Sequence, residues 1–201
     1  DDVRLELGVD PARFGDDESV VAPRRGRHIY HLRAFQGIDG VELAREVVQI
    51  IRALRREGDP LPRVKVDSVG LGASCADQLR HHRGPGGEPE LELIEVNSAA
   101  RATTDDHHRL RDQLWFAVTD WLSEGGLLPP DDKLARDLIA PTYGFDAQNK
   151  LLVEPKKITK KRLGHSPDRA DAVALSIWRG EPEPTIPEDD GLDALLPTTT
   201  F

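Results

Sequence analysis

A chain of 201 residues is long enough for one ordinary domain and too short for two large ones. Its 36 acidic residues outnumber 27 Lys and Arg, and a formal charge of −9, taken whole, argues against a partner made of phosphate. A single cysteine, Cys75, excludes an internal disulfide framework and disfavours a thiolate metal cluster, which fits a reducing compartment. No apolar run approaches the roughly 18 to 20 residues of a membrane span, and no signal peptide opens the chain. The sequence has no Met, so it is expected to begin inside a longer polypeptide.

In chain order, residues 3–9, 19–22 and 28–35 read as three strands of an antiparallel meander, with PRRGR at 23–27 as a basic turn. Asp39 and Glu42 have capping-box spacing, and Leu43, Val47, Ile50, Ile51 and Leu54 then recur at helical intervals until Gly58. A short strand at 63–66 ends on Asp67. VGLGAS then leads into a helix over 73–82, the strand, glycine turn and helix of α/β proteins. Residues 84–90 form a loop and 91–96 a fifth strand. The segment after Thr104 is a long helix with Leu110, Leu114, Ala117, Val118 and Trp121 on one face, stopped by Gly125 and Gly126. A helix over 131–140 and a small hairpin, 142–146 with 151–154, follow. In the last helix Ser166 is the expected cap and Pro167 the first helical residue, and Ala170, Val173, Ala174, Ile177 and Trp178 form a buried stripe up to Gly180. No internal repeat is visible. The expected fold is a single α/β domain over 1–180, with a five-stranded mixed sheet made of three antiparallel strands and then parallel additions, flanked by helices. Residues 181–201 carry six acidic residues, four prolines and no Lys or Arg, the composition of a flexible acidic tail. Without them the body carries only −3.

Three segments each offer a carboxylate where chemistry is placed. GVDPA puts Asp10 at the end of the first strand, KVDSVG puts Asp67 at the end of the fourth, and SPDRADA puts Asp168 and Asp171 three apart on one face at the start of a helix. Singly, such residues also serve as turn formers, caps or partners of a helix dipole. Brought together, they repel one another unless a divalent cation binds, and hard oxygen ligands without Cys or paired His suit Mg²⁺ or Mn²⁺. Two such ions, bridged by Asp10, could clamp the oxygens of an in-line phosphoryl displacement.

LGVDPARFGDDESVV, VKVDSVGLGASCADQL and NKLLVEPKKITKKRLGHSPDRADAVALSIW together resemble the successive motifs of the nuclease domain of the large terminase subunit of tailed bacteriophages, over residues 3–180. The resemblance implies a ribonuclease H-like fold, shared with RuvC-type Holliday-junction resolvases. It implies an endonuclease that needs Mg²⁺ or Mn²⁺ and cuts concatemeric double-stranded DNA at the start and end of packaging. The implied partners are an N-terminal ATPase motor domain of the same polypeptide, a portal protein and a small terminase subunit, in the host cell cytoplasm. Asp10 matches the first-strand metal ligand and Asp67 the acid ending the fourth strand. Asp168 and Asp171 are both candidates for the third ligand, with Asp171 favoured because Ala170 and Ala172 fit the helix packing of the family. Asp17 matches an auxiliary acid, a place that Asp16 could also fill.

The basic residues Lys156, Lys157, Lys160, Lys161 and Arg162 precede the acidic helix, and Arg24, Arg25 and Arg27 crowd the first turn. Such runs usually form a solvated face. Beside a carboxylate cluster they are expected to hold the DNA backbone, without an aromatic ladder for base stacking. His165, just before SPD, is a candidate for contact with the scissile phosphate or leaving group. GLGAS at 70–74 lacks the Lys and Ser or Thr of a P-loop and reads as a tight turn, and Cys75 reads as a buried small residue. The alternatives are a junction resolvase of the same fold, a sugar-kinase or actin-like nucleotide-binding protein, and a non-catalytic DNA- or portal-binding module. Ala12, where the kinase-like family has Gly, and the length of the chain speak against the second.

Overall fold

The computed structural model describes residues 3–12, 15 and 17–180; the expected tail and Asp16 lie outside the described residues. Strand β1 (Leu5–Asp10) is central, antiparallel to β2 (Ser19–Arg25) and parallel to β5 (Arg63–Asp67), which is in turn parallel to β6 (Glu92–Val96). The expected third strand is divided into β3 (His28–Ile29) and β4 (Arg33–Phe35), both on the outer edge of β2. The register shifts by one residue between them, which marks a bulge. Pro23 sits opposite it; its carbonyl accepts the Tyr30 N–H at 2.8 Å, but it has no N–H to return. The sheet order β3-β2-β1-β5-β6 is the mixed five-strand arrangement expected from the sequence, with β4 as an extra piece beside β2.

Helices α1 (Gly40–Leu54) and α2 (Leu71–His81) cover one face, over Leu5, Leu7, Val9, Val21, Val64 and Val66. The capping box at Asp39 and Glu42 is present. α1 stops at Leu54, short of Gly58, where Arg25 donates to the freed Leu54 carbonyl at 3.0 Å. Gly72 forms the tight turn expected of GLGAS: a Cβ there would lie 1.7 Å from the Asp67 carbonyl oxygen. Cys75 is buried in this layer, where burial pushes its thiol up to about 12.

The other face carries α3 (Leu110–Ser123) and α6 (Asp168–Ile177), packed on Val20, Ala22, Ile29 and Val96. α3 begins later than expected, at the point where Asp112 accepts the Arg109 N–H at 2.9 Å. Between these helices come α4 (Asp132–Ile139), the hairpin β7 (Tyr143–Phe145) and β8 (Leu151–Val153), and α5 (Lys156–Leu163). The expected capping of α6 by Ser166 is corrected: Pro167 is the N-cap, no side chain caps it, and Ser166 is buried. α6 lies directly on the backbone of β1, since a Cβ on Gly8 would be 2.0 Å from the Ala172 carbonyl oxygen. The C-terminal end of α6 is met by buried cations. Lys65 and Arg24 donate to the Ser176 carbonyl at 3.1 and 2.9 Å, and both pair with Glu6. No helix among the described residues is long and apolar enough to cross a membrane.

Candidate active site

The side-chain alternation of the strands decides which residues face α6. On β1 the odd residues Leu5, Leu7 and Val9 pack under α1 and α2, so Glu6, Gly8 and Asp10 face α6. On β5 the same rule sends Val64 and Val66 one way and Lys65 and Asp67 the other. β1 and β5 are parallel neighbours, so Asp10 and Asp67 end up side by side at one end of the sheet. Close packing on Gly8 sets the first turn of α6, with Asp168 and Asp171, above them.

At the centre lies the Lys156 ammonium, from the first turn of α5. Its Nζ is 3.3 Å from Asp10 Oδ2, 3.1 Å from Asp168 Oδ1 and 2.9 Å from Asp171 Oδ2. The remaining carboxylate oxygens are oriented by neighbours. Asp168 Oδ2 accepts the Glu18 N–H at 3.1 Å, Asp171 Oδ1 the Trp115 indole N–H at 2.7 Å, and Asp67 Oδ2 the Ser98 hydroxyl at 2.6 Å. Asp67 Oδ1 accepts the Val69 N–H at 3.2 Å.

The electrostatics are those of crowded acids. Burial pushes the Asp10 carboxyl well above the usual carboxylate range; Lys156 opposes this, while Asp171, Asp168 and Asp67 add to it. Burial also raises Asp67, against the hydrogen bonds from Ser98 and Val69. Asp171 goes the other way, because Lys156 and Arg111 outweigh its burial. Lys156 is raised: burial would lower it, but Asp10, Asp171 and Asp168 hold its proton.

A divalent cation fits this donor set. The ligands are all hard oxygens: Asp10, Asp168 and Asp171 converge on a single ammonium, and Asp67 stands beside Asp10 at the same end of the sheet. The acids are spread to ammonium distances, and among the described residues no three Asp, Glu, His or Cys side chains form a ready-made cage. Mg²⁺ would draw its oxygens in to about 2.0 to 2.1 Å.

No protein-family model matches the chain, and no curated protein does. Solved structures do match. A mutant of the large terminase subunit of bacteriophage Sf6, with calcium, superposes with a TM-score of 0.70 at 19% identity, over 89% of this chain and 90% of that one. The large terminase nuclease of thermophilic phage G20c, with bound magnesium, gives 0.58 at 18% identity, over 88% and 81%. The nuclease domain of the large terminase of Thermus phage P74-26 gives 0.59 at 14% identity, over 87% and 78%. The chain has the fold of a large terminase nuclease domain. That terminase-type, ribonuclease H-like architecture is the one expected from the three motifs.

Within the terminase fold, Asp10, Asp67, Asp168 and Asp171 meet at one place, and both Asp168 and Asp171 touch Lys156. Lys156, expected on the DNA face, is instead the counter-ion of the acids. Asp17 accepts from Lys160 at 2.7 and 2.6 Å. Arg162 pairs with Glu154, and Lys157 and Lys161 are exposed on α5. His165 is engaged with the buried Asp137 at 2.7 Å.

The placement of Arg24, Arg25 and Arg27 corrects the expectation that they border the carboxylates. β2 runs antiparallel to β1, so its last residues lie at the opposite end of the sheet from Asp10. Arg24 is buried against Glu6 and Ser176, Arg25 is held by Asp59, Val3 and Leu54, and Arg27 is exposed at that far turn. Sequence reasoning missed Ser98, Arg111 and Trp115. A signal existed for each: Ser98 follows a parallel strand as Asp67 does, and Arg111 and Trp115 are four apart on one ridge of α3.

Proposed function

We propose that this chain is a divalent-metal-dependent endonuclease acting on double-stranded DNA, the nuclease part of a viral genome-packaging terminase. The observation that supports this best is the convergence of Asp10, Asp168 and Asp171 on one cation at the end of the sheet, with Asp67 beside Asp10. Asp10, Asp67, Asp168 and Asp171 would hold Mg²⁺ or Mn²⁺. When bound, the metal supplies an activated water and neutralises charge developing on the phosphate. Asp10 would be the central ligand, and it is buried against the sheet beneath it. Ser98, Trp115 and the Glu18 backbone fix the ligand oxygens, so little reorganisation remains when substrate arrives. Lys156 holds Asp10, Asp168 and Asp171 together by balancing their charge. Lys157 and Lys161 on the exposed side of α5 attract the DNA backbone without reading sequence.

On this reading the chain works beside an ATPase motor domain, with portal and small terminase subunits as further partners, in the host cytoplasm. Incubation with linear duplex and with four-way-junction DNA, in Mg²⁺ or Mn²⁺ and again with chelator, tests it. Chelator-sensitive cutting of linear duplex is expected. Cutting confined to junctions would make the chain a resolvase, and no cutting with either metal would make it a binding module.

A further inference from the structure

Arg111, the second residue of α3, stands beside the acids without being used up by them. Its Nε is 3.7 Å from Asp171 Oδ1, beyond hydrogen-bond reach, and that oxygen already accepts from Trp115. Nη1 donates to the Glu154 carbonyl at 3.2 Å, while Nε and Nη2 are buried with no acceptor among the described residues. A guanidinium has five N–H donors in one plane, and a buried donor left unmatched is costly. The Trp115 ring, 5.3 Å from Arg111 Cζ, supports that plane.

Next to it a cavity of about 300 Å³ opens between the start of α3 and β8, with Ser98, His108, Arg109, Arg111 and Lys156 in its wall. The acid in the same wall, Asp112, is already occupied: Oδ2 accepts the Arg109 N–H at 2.9 Å and Oδ1 the Val153 N–H at 2.8 Å. Three cations, Arg109, Arg111 and Lys156, stand in the wall against this one acid, and the cavity runs from Lys156, at the carboxylates, to Arg109 at the surface.

We propose that this cavity is a phosphate subsite for the DNA strand, with Arg111 as its binding group. The inference rests on the nuclease reading and deepens it. Nε and Nη2 form the side of the guanidinium that grips two oxygens of one phosphate, and they are the two nitrogens left without partners; both are buried, so a phosphate reaches them once the side chain turns into the cavity. The phosphodiester taken here neighbours the one held over the acids, so binding at Arg111 sets the register of the strand against the carboxylates.

The test is duplex binding without metal, which separates a phosphate contact from mere support of Asp171. A fluorescent DNA duplex is titrated with full-length Asp10→Asn protein in EDTA across a salt series, with and without Arg111→Gln or Arg111→Lys. Arg111→Gln is expected to weaken binding and to lower the slope of log K against log salt by about 1. Arg111→Lys, which keeps the charge, should restore the slope. Equal affinity and slope for Arg111→Gln and its parent overturn the subsite and leave the nuclease reading standing. An unchanged slope combined with thermal stabilisation of the parent alone by inorganic phosphate overturns the DNA assignment in favour of free phosphate. A parent that binds no duplex counts against the nuclease reading and takes the subsite with it.

Discussion

At Asp10 function and stability pull against each other. Burial and three neighbouring acids raise its carboxyl, so the native state binds a proton there more readily than the unfolded chain. Stability contributed by this group is present at low pH and falls as pH rises from the unfolded value of 3.8 towards the raised native one. At neutral pH without metal, Asp10→Asn should therefore be more stable than the parent by ~1 kcal/mol in urea denaturation with EDTA. A less stable variant would show that Asp10 is needed by Lys156 more than it is repelled by the other acids. Lys156→Ala removes the ammonium instead. Its side chain is 39% exposed, so the loss without metal is held to roughly 1 kcal/mol by solvent screening. Added Mn²⁺ should raise the melting temperature of Lys156→Ala more than that of the parent, because the metal then supplies the missing charge. An identical rise in both proteins would separate the ammonium from the metal site.

At the scale of elements, the site depends on how α6 meets β1. The Cβ of Gly8→Ala would lie 2.0 Å from the Ala172 carbonyl oxygen and 2.4 Å from the Ser176 nitrogen, so the helix must move away from the sheet. A loss of about 3 kcal/mol of stability in urea denaturation is expected, together with loss of cleavage. Asp39→Ala, at the cap of α1 on the other face, should cost ~1 kcal/mol and leave cleavage intact. Equal effects of the two on cleavage would mean that general stability, and not the α6 contact, controls the site. These elements were largely legible in the sequence. The Asp39 capping box, the alternation in β1 and the apolar stripe of α6 are local patterns. The bulge opposite Pro23 and the early end of α1 were not, since each depends on a partner across the fold, the Tyr30 N–H in one case and the Arg25 side chain in the other.

Across the whole molecule, charge has to be located before it can be interpreted. The far end of the site helix is tied to the sheet by Glu6, Lys65 and Arg24. Burial presses Lys65 down to about 8, against the pull of Glu6, so it is still charged at neutral pH. Glu6 is lowered: burial would raise it, but Lys65 and Arg24 prevail. A depressed carboxyl stabilises the fold above its unfolded value of 4.5, and that contribution is lost as pH falls through its native value. Glu6→Gln should then cost about 2 kcal/mol at pH 7, with the difference from the parent shrinking below pH 4.5. A constant difference across that range would point to packing instead of charge. The same principle explains what the sequence showed and hid. The acids were legible because strand ends and helix starts are local features. Lys156 looked like one more surface lysine, since its contact with Asp10 spans 146 positions. Arg24 looked like part of a basic turn, although it shares a face of β2 with the buried Val20 and Ala22. Period-two alternation alone could have placed it inside.

The central claim is that these four acids hold the metal that cuts DNA. Supercoiled plasmid incubated with Mn²⁺ and either the parent or Asp10→Asn protein tests it most directly. The account predicts nicked and linear products with the parent, none with chelator, and none with Asp10→Asn although that variant is folded. Cleavage by Asp10→Asn at the rate of the parent would contradict it.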